Sequence, residues 1–209
     1  MERPNYFRYG ETEINHFKKR DKKLGMAIDK IGTIQREVNS DLFSSLVNSI
    51  VGQQISTKAH HTIWKRMVKG LGEITPTVIL ACSEEELGGY GISFRKVSYI
   101  RGVAKHVIDG ELDIEALHTK KDEEICKELI KIPGVGVWTA EMLMLFSMER
   151  PNILSYGDLG ILKGLKILYG HKDINKERFE RYRKRYSPYG SVASLYLWAI
   201  AGGALEGIR

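Results

Sequence analysis

Along most of this chain apolar residues recur at the three-and-four spacing of an α-helix, and strand-like alternation is nearly absent. Leu42, Phe43, Leu46, Val47, Ile50 and Val51 form one such stripe, which the pattern starts behind a Ser40 cap. Gly52-Gln53-Gln54-Ile55 interrupts the stripe, and Ser56 restarts a helix carrying Ile63, Trp64, Met67 and Val68. Further starts are signalled by Thr75-Pro76, by the capping box Ser83-Glu84-Glu85-Glu86, and by Ser93 ahead of Val97, Ile100, Val103, Ala104 and Val107. Near the N-terminus a single helix is expected from His16 to Ile31, and a short one follows later from Ile114 to Leu117. Segments Asp122 to Ile132 and Val137 to Met148 come next, then helices capped by Asp158 and Asn175, and a last one from Pro188 through Ala201. The fold class that follows is all-α, with about ten helices joined by short loops.

Two of these helices are joined by Pro133-Gly134-Val135-Gly136, which reads as a tight hairpin. The amides opening the second helix make an anion site, and glycines at 134 and 136 suit a turn that a phosphate must approach closely. Thr139 lies in the first turn after the hairpin, where its hydroxyl would join those amides. The carbonyls of Ile130, Ile132 and Val135, at the end of the first helix, would hold a hard monovalent cation, Na+ or K+. An ordinary helix–helix turn is the competing reading.

Charge tilts the balance. The 209 residues carry a net charge of +6, which favours a polyanionic partner. Only two cysteines are present, Cys82 and Cys126, far apart, so a disulfide framework, a zinc cluster and a cysteine-ligated iron–sulfur cluster are not expected. No signal-type apolar core or bilayer-length apolar run is present, and a cytoplasmic, nucleoid-associated protein without membrane contact is expected. The basic run Lys172, Lys176, Arg178, Arg181, Arg183, Lys184 and Arg185 is broken by Asp173, Glu177 and Glu180, so it reads as a solvated face with intrahelical ion pairs. His60-His61 lack a metal-ligand spacing.

Asp158 is a lone carboxylate at a predicted helix start. Aspartate is among the best N-cap residues, which by itself explains the position. A carboxylate there would also stabilise a cationic transition state and orient water.

Four stretches, Ile50-Val-Gly-Gln-Gln-Ile-Ser56, Ile132-Pro-Gly-Val-Gly-Val-Trp-Thr-Ala140, Asp158-Leu-Gly-Ile-Leu-Lys163 and Ser187-Pro-Tyr-Gly-Ser191 leading to Trp198, together resemble the helix–hairpin–helix DNA glycosylase superfamily. The resemblance spans about residues 40–201 and is nearest to the 3-methyladenine DNA glycosylase II (AlkA) type. It implies two helical lobes with the active-site cleft between them, in the compact form that lacks the additional N-terminal domain of larger members. One lobe would comprise residues 40–150, with the helix–hairpin–helix at 123–148, and the other 1–39 and 151–209. The resemblance makes Asp158 the catalytic carboxylate and Trp138 and Trp198 pocket aromatics. Met142 stands where the prototype has tyrosine, with Tyr156 and Phe43 as candidate replacements. Gln53 and Gln54 fall on the loop that enters the duplex, Gln54 matching the intercalating residue. Strand-cutting relatives carry a lysine where this chain has Trp138, so a monofunctional enzyme is implied. The activity implied is release of 3-methyladenine, with 7-methylguanine as a second candidate, from damaged double-stranded DNA, by a monomer needing no cofactor. Uracil, hypoxanthine or a mismatched base is the alternative substrate, and a non-catalytic hairpin DNA-binding protein the alternative class.

Overall fold

The computed structural model describes residues 5–206. It is helical almost throughout, as the periodicity predicts. The elements are β1 (Asn5–Tyr6), α1 (Glu11–Arg20), α2 (Lys22–Ile31), β2 (Glu37–Val38), α3 (Leu42–Gly52), α4 (Thr57–Leu71), α5 (Pro76–Ala81), α6 (Glu84–Gly89) and α7 (Phe94–Ile108). After a 3-10 turn at Ala116–Thr119 come α8 (Asp122–Leu129), α9 (Val137–Phe146), α10 (Leu159–Tyr169), α11 (Lys176–Tyr186) and α12 (Gly190–Ala201). Among the described residues no helix is long and apolar enough to cross a membrane.

Caps set most boundaries. The side chains of Ser56, Thr75, Ser83, Ser93, Asp158 and Asn175 each accept a backbone N–H from the first turn of the helix that follows. Two expectations are corrected. Asp41, not Ser40, caps α3, accepting from Ser44 N at 2.9 Å. The single helix expected from His16 to Ile31 is two, because Asp21 turns its backbone to the extended region and caps α2 through Leu24 N at 3.0 Å. Asp21 is buried, and its other oxygen accepts from Tyr169 Oη at 2.6 Å and Arg185 Nη1 at 2.7 Å. Burial pushes the Tyr169 phenol well above its usual range, so it stays a donor.

The chain forms two compact units, one of residues Asn39–Leu143 and one of the residues through Val38 and from Met144. In the Asn39–Leu143 unit, Leu46, Val47 and Ile50 of α3 are buried together with Val97, Ile100 and Val103 of α7, and α5 and α6 also pack on α7. In the other unit α12 is the central helix. Its residues from Gly190 to Leu197 are all buried, as expected of a helix apolar on every side. Its two serines are satisfied: Ser191 Oγ accepts from Ile153 N at 2.9 Å, and Ser194 Oγ donates to the Ile153 carbonyl at 2.9 Å. In the same unit β1 and β2 pair antiparallel, Asn5 opposite Val38.

The packing of α10 on α12 depends on glycine. A Cβ at Gly164 would stand 2.2 Å from the Leu197 carbonyl oxygen, a backbone atom that cannot yield. Gly164→Ala should therefore lower stability by about 2 kcal/mol, the scale of overpacking. Gly102, inside α7, has nothing within 4 Å of the same position. Gly102→Ala should raise stability by about 0.5–1 kcal/mol through helix propensity. Urea unfolding of both variants measures the contrast.

Candidate active site

The hairpin belongs to the Asn39–Leu143 unit. After α8 the chain tightens through Ile132 N to Leu129 O at 3.1 Å and Val135 N to Ile132 O at 3.0 Å. Gly134 has φ +88°, and a Cβ there would lie 2.4 Å from the ring of Tyr99. Its glycine is thus required from within the protein, by a left-handed backbone and an aromatic neighbour. Gly136 differs: it is exposed, with nothing within 4 Å of a would-be Cβ. Nothing in the fold demands glycine at 136, and the space is open to an approaching group. Gly136, which precedes α9, brings no side chain to cap that helix. The Ile132 carbonyl accepts the Val135 N–H and keeps a second lone pair. The oxygens of Ile130, Ile132 and Val135 are hard neutral donors of the kind a monovalent cation takes. Among the described residues no cluster of His, Cys, Asp and Glu could hold a metal ion.

Two hairpin assignments change. Thr139 is only 2% exposed, and its Oγ1 accepts from Gln53 Nε2 at 3.2 Å, so the hydroxyl is directed inward rather than towards a phosphate. Gln53 is not a free loop amide: the same Nε2 donates to the Gly134 carbonyl at 2.9 Å. Gln54 is exposed with φ +56°.

Asp158 and Trp198 lie in the other unit and touch. Asp158 is 8% exposed, and its Oδ1 accepts from Ile161 N at 2.9 Å and from Trp198 Nε1 at 2.9 Å. Cap and carboxylate are therefore one group, as the sequence allowed. Trp198 is fixed on a second side by Phe146, stacked at 5.5 Å between centroids and 25° between planes. The Arg36 guanidinium stands 4.6 Å from the same Phe146 ring. Burial lowers the Arg36 pKa, with Glu37 opposing. A Cβ at Gly160 would come within 2.8 Å of Trp198 Cδ1 and 3.1 Å of Asp158 Oδ1, so this glycine gives the indole its place beside the carboxylate.

Of the aromatic candidates, Trp138 is 38% exposed at the start of α9, unusual for so large an apolar side chain. Met142, the candidate pocket residue beside it on α9, is 6% exposed. Phe43 is likewise buried, whereas Tyr156 is exposed and meets Phe179 edge-on at 5.1 Å. The basic run on α11 pairs within itself, through Arg181 with Glu177 at 3.0 Å and Arg183 with Glu180 at 2.9 Å. His60 is committed to Asn48, its Nε2 lying 2.6 Å from Oδ1.

Sequence reasoning missed Phe146, Arg36, Gly160 and Lys96. Only Gly160 left a local signal, since glycine in a first helical turn is unfavourable unless space requires it. Lys96 donates from Nζ to the carbonyls of Val51 at 2.7 Å and Gln53 at 2.6 Å.

Comparison with known proteins places the chain in a family. Residues 47–188 match the family described as HhH-GPD superfamily base excision DNA repair protein. A solved DNA-3-methyladenine glycosidase from Bacillus halodurans superposes with a TM-score of 0.84 at 37% identity, covering 97% of this chain and 95% of that one. The 3-methyladenine DNA glycosylase Mag1 of Schizosaccharomyces pombe, solved in complex with abasic DNA, superposes with a TM-score of 0.83 at 25% identity, covering 90% and 96%. By sequence, DNA-3-methyladenine glycosylase 1 of Schizosaccharomyces pombe is 28% identical over 161 residues, 75% of this chain and 71% of the relative.

The two hairpin glycines should separate by experiment. Gly134→Ala should lose about 2 kcal/mol of stability, combining a left-handed backbone with the Tyr99 clash. Gly136→Ala should stay within about 0.5 kcal/mol of the parent, as surface changes do. Chemical denaturation decides; equal losses would contradict the assignment.

Proposed function

Because this chain belongs to the HhH-GPD superfamily of base excision DNA repair proteins, we propose that it is a DNA glycosylase releasing alkylated bases from duplex DNA. The observation that carries the reading is the low-exposure Asp158 carboxylate, which accepts from the Ile161 backbone N–H and the Trp198 indole N–H. The similarity to 3-methyladenine glycosylases supports 3-methyladenine as substrate, with 7-methylguanine as a second.

The chemistry follows from the residues. Reaching the base requires taking it out of the stack, least costly for a damaged pair. Exposed Trp138 offers a ring face on which a cationic alkylated base gains by stacking. As the bond between C1′ and the base nitrogen breaks, its electron pair leaves with the base and positive charge grows on the sugar. Asp158 stabilises that charge and takes a proton from the water that adds to C1′, leaving an abasic site. Trp198 orients the carboxylate. The hairpin amides beside Gly136 hold a backbone phosphate in register. A bound Na+ or K+ on the carbonyls of Ile130, Ile132 and Val135 would supply positive charge at that phosphate.

By the resemblance of its hairpin stretch, Trp138 takes the place of the lysine of strand-cutting members of the superfamily, and an indole cannot form a Schiff base with the sugar. The enzyme is therefore monofunctional in this reading. It acts as a monomer, and two cysteines cannot supply the four ligands of an iron–sulfur cluster.

Asp158→Asn tests the reading well, because asparagine keeps the cap and a carbonyl oxygen for both donors. Single-turnover release from methylated duplex should fall at least about 100-fold. Affinity for the duplex should hold within about twofold. Near-normal release would remove Asp158 from the mechanism. Borohydride should trap no covalent enzyme–DNA adduct, and a trapped adduct would refute the monofunctional assignment. Duplex affinity should also fall steeply with added salt, as phosphate contacts require.

A further inference from the structure

Gln53 and Gln54 adjoin in sequence but occupy different environments. Gln54 is exposed and holds φ +56°, a left-handed conformation that only one other described non-glycine residue adopts. Such a conformation persists where neighbours over-determine it. The neighbours here can be named. Lys96, from α7, donates to the carbonyls of Val51 and Gln53, bracketing the end of α3. The Gln53 amide nitrogen reaches across to the hairpin, at Gly134 O and Thr139 Oγ1. Beneath the loop, the His60 ring lies so close to Gly52 that a Cβ there would meet it at 3.0 Å. Burial, then the nearby Arg95, lowers the Lys96 pKa. Its ammonium is directed at two carbonyls within the protein.

We propose that Gln53 and Lys96 are positioning residues that lock the loop bearing Gln54 to the phosphate-gripping hairpin. They make one preorganised body of two DNA-contacting parts. The proposal rests on the glycosylase reading, in which Gln54 fills the gap left by the extruded base. A loop ordered only on binding would lose conformational entropy at the moment the stack is broken. With the loop fixed beforehand, gripping a phosphate already aims Gln54. Thr139 takes its inward orientation from the same lock, since its Oγ1 is one of the two acceptors of the Gln53 amide.

The test uses a duplex carrying 7-methylguanine beside 2-aminopurine, whose fluorescence rises on unstacking. A second duplex places the same lesion opposite an abasic analogue, where extrusion is easier. Variants are Gln53→Glu, which cannot donate to the Gly134 carbonyl, Gln53→Ala, which adds no charge, Lys96→Met, and Lys96→Arg. Unstacking is read in an Asp158→Asn background, so that hydrolysis plays no part. Both Gln53 variants and Lys96→Met should bind undamaged duplex within about twofold of the parent yet lose the fluorescence rise. With Asp158 intact, they should release base about tenfold more slowly from the paired duplex and less than about threefold more slowly from the unpaired one. Lys96→Arg should recover most of both signals. Unchanged unstacking, or equal slowing on the two duplexes, would overturn the proposal, because general structural damage does not distinguish paired from unpaired lesions. A wild type that unstacks the lesion but releases neither 7-methylguanine nor, from a matching duplex, 3-methyladenine would overturn the glycosylase reading alone, and one that neither unstacks nor releases would overturn both.

Discussion

The close approach of α12 to α10 is the constraint on which the geometry of Asp158 and Trp198 depends. At Gly164 a hydrogen is all that fits beneath the Leu197 carbonyl. One turn earlier, at Gly160, the same absence of a side chain admits the Trp198 indole. The indole N–H then meets the carboxylate that caps α10. Glycine is unfavourable inside a helix, so two within one turn of α10 weaken it locally. The burial of nearly every residue of α12 offsets that loss. A carboxylate fixed by a backbone amide and an indole need not reorganise when charge develops nearby, which is the physical basis of electrostatic catalysis.

In the Asn39–Leu143 unit the arrangement is similar in kind but uses polar contacts. Gly134 is shaped by Tyr99, Thr139 by Gln53, and the loop of Gln53 and Gln54 by Lys96. The result leaves Gly136, Val137, Trp138 and Gln54 exposed on a prepared backbone. Basic side chains contribute less than their number suggests, since several on α11 pair with neighbouring carboxylates.

What could be read from sequence was local. Caps at Ser56, Ser83, Ser93, Asp158 and Asn175 act on amides three residues away, so their signals lie beside the helices they start. The break at Asp21 carries the same kind of local cap, on Leu24 N, but its distant partners Tyr169 and Arg185 were not legible. Gly134 was recognisable as a turn glycine, but Tyr99 could not be known as its neighbour. Thr139 and Gln53 were placed correctly on hairpin and loop and aimed outward instead of at each other, a matter of side-chain direction that spacing does not encode. Phe146 carries no motif at all, and its role exists only because it stacks on Trp198.

The central claim is that Trp198 acts through Asp158, and a double-mutant cycle of Trp198→Phe and Asp158→Asn on single-turnover base release tests it most directly. If the indole N–H serves to orient the carboxylate, Trp198→Phe slows release on its own but slows the Asp158→Asn enzyme little further, giving strong non-additivity. Fully additive losses would show two independent contributions and contradict the account.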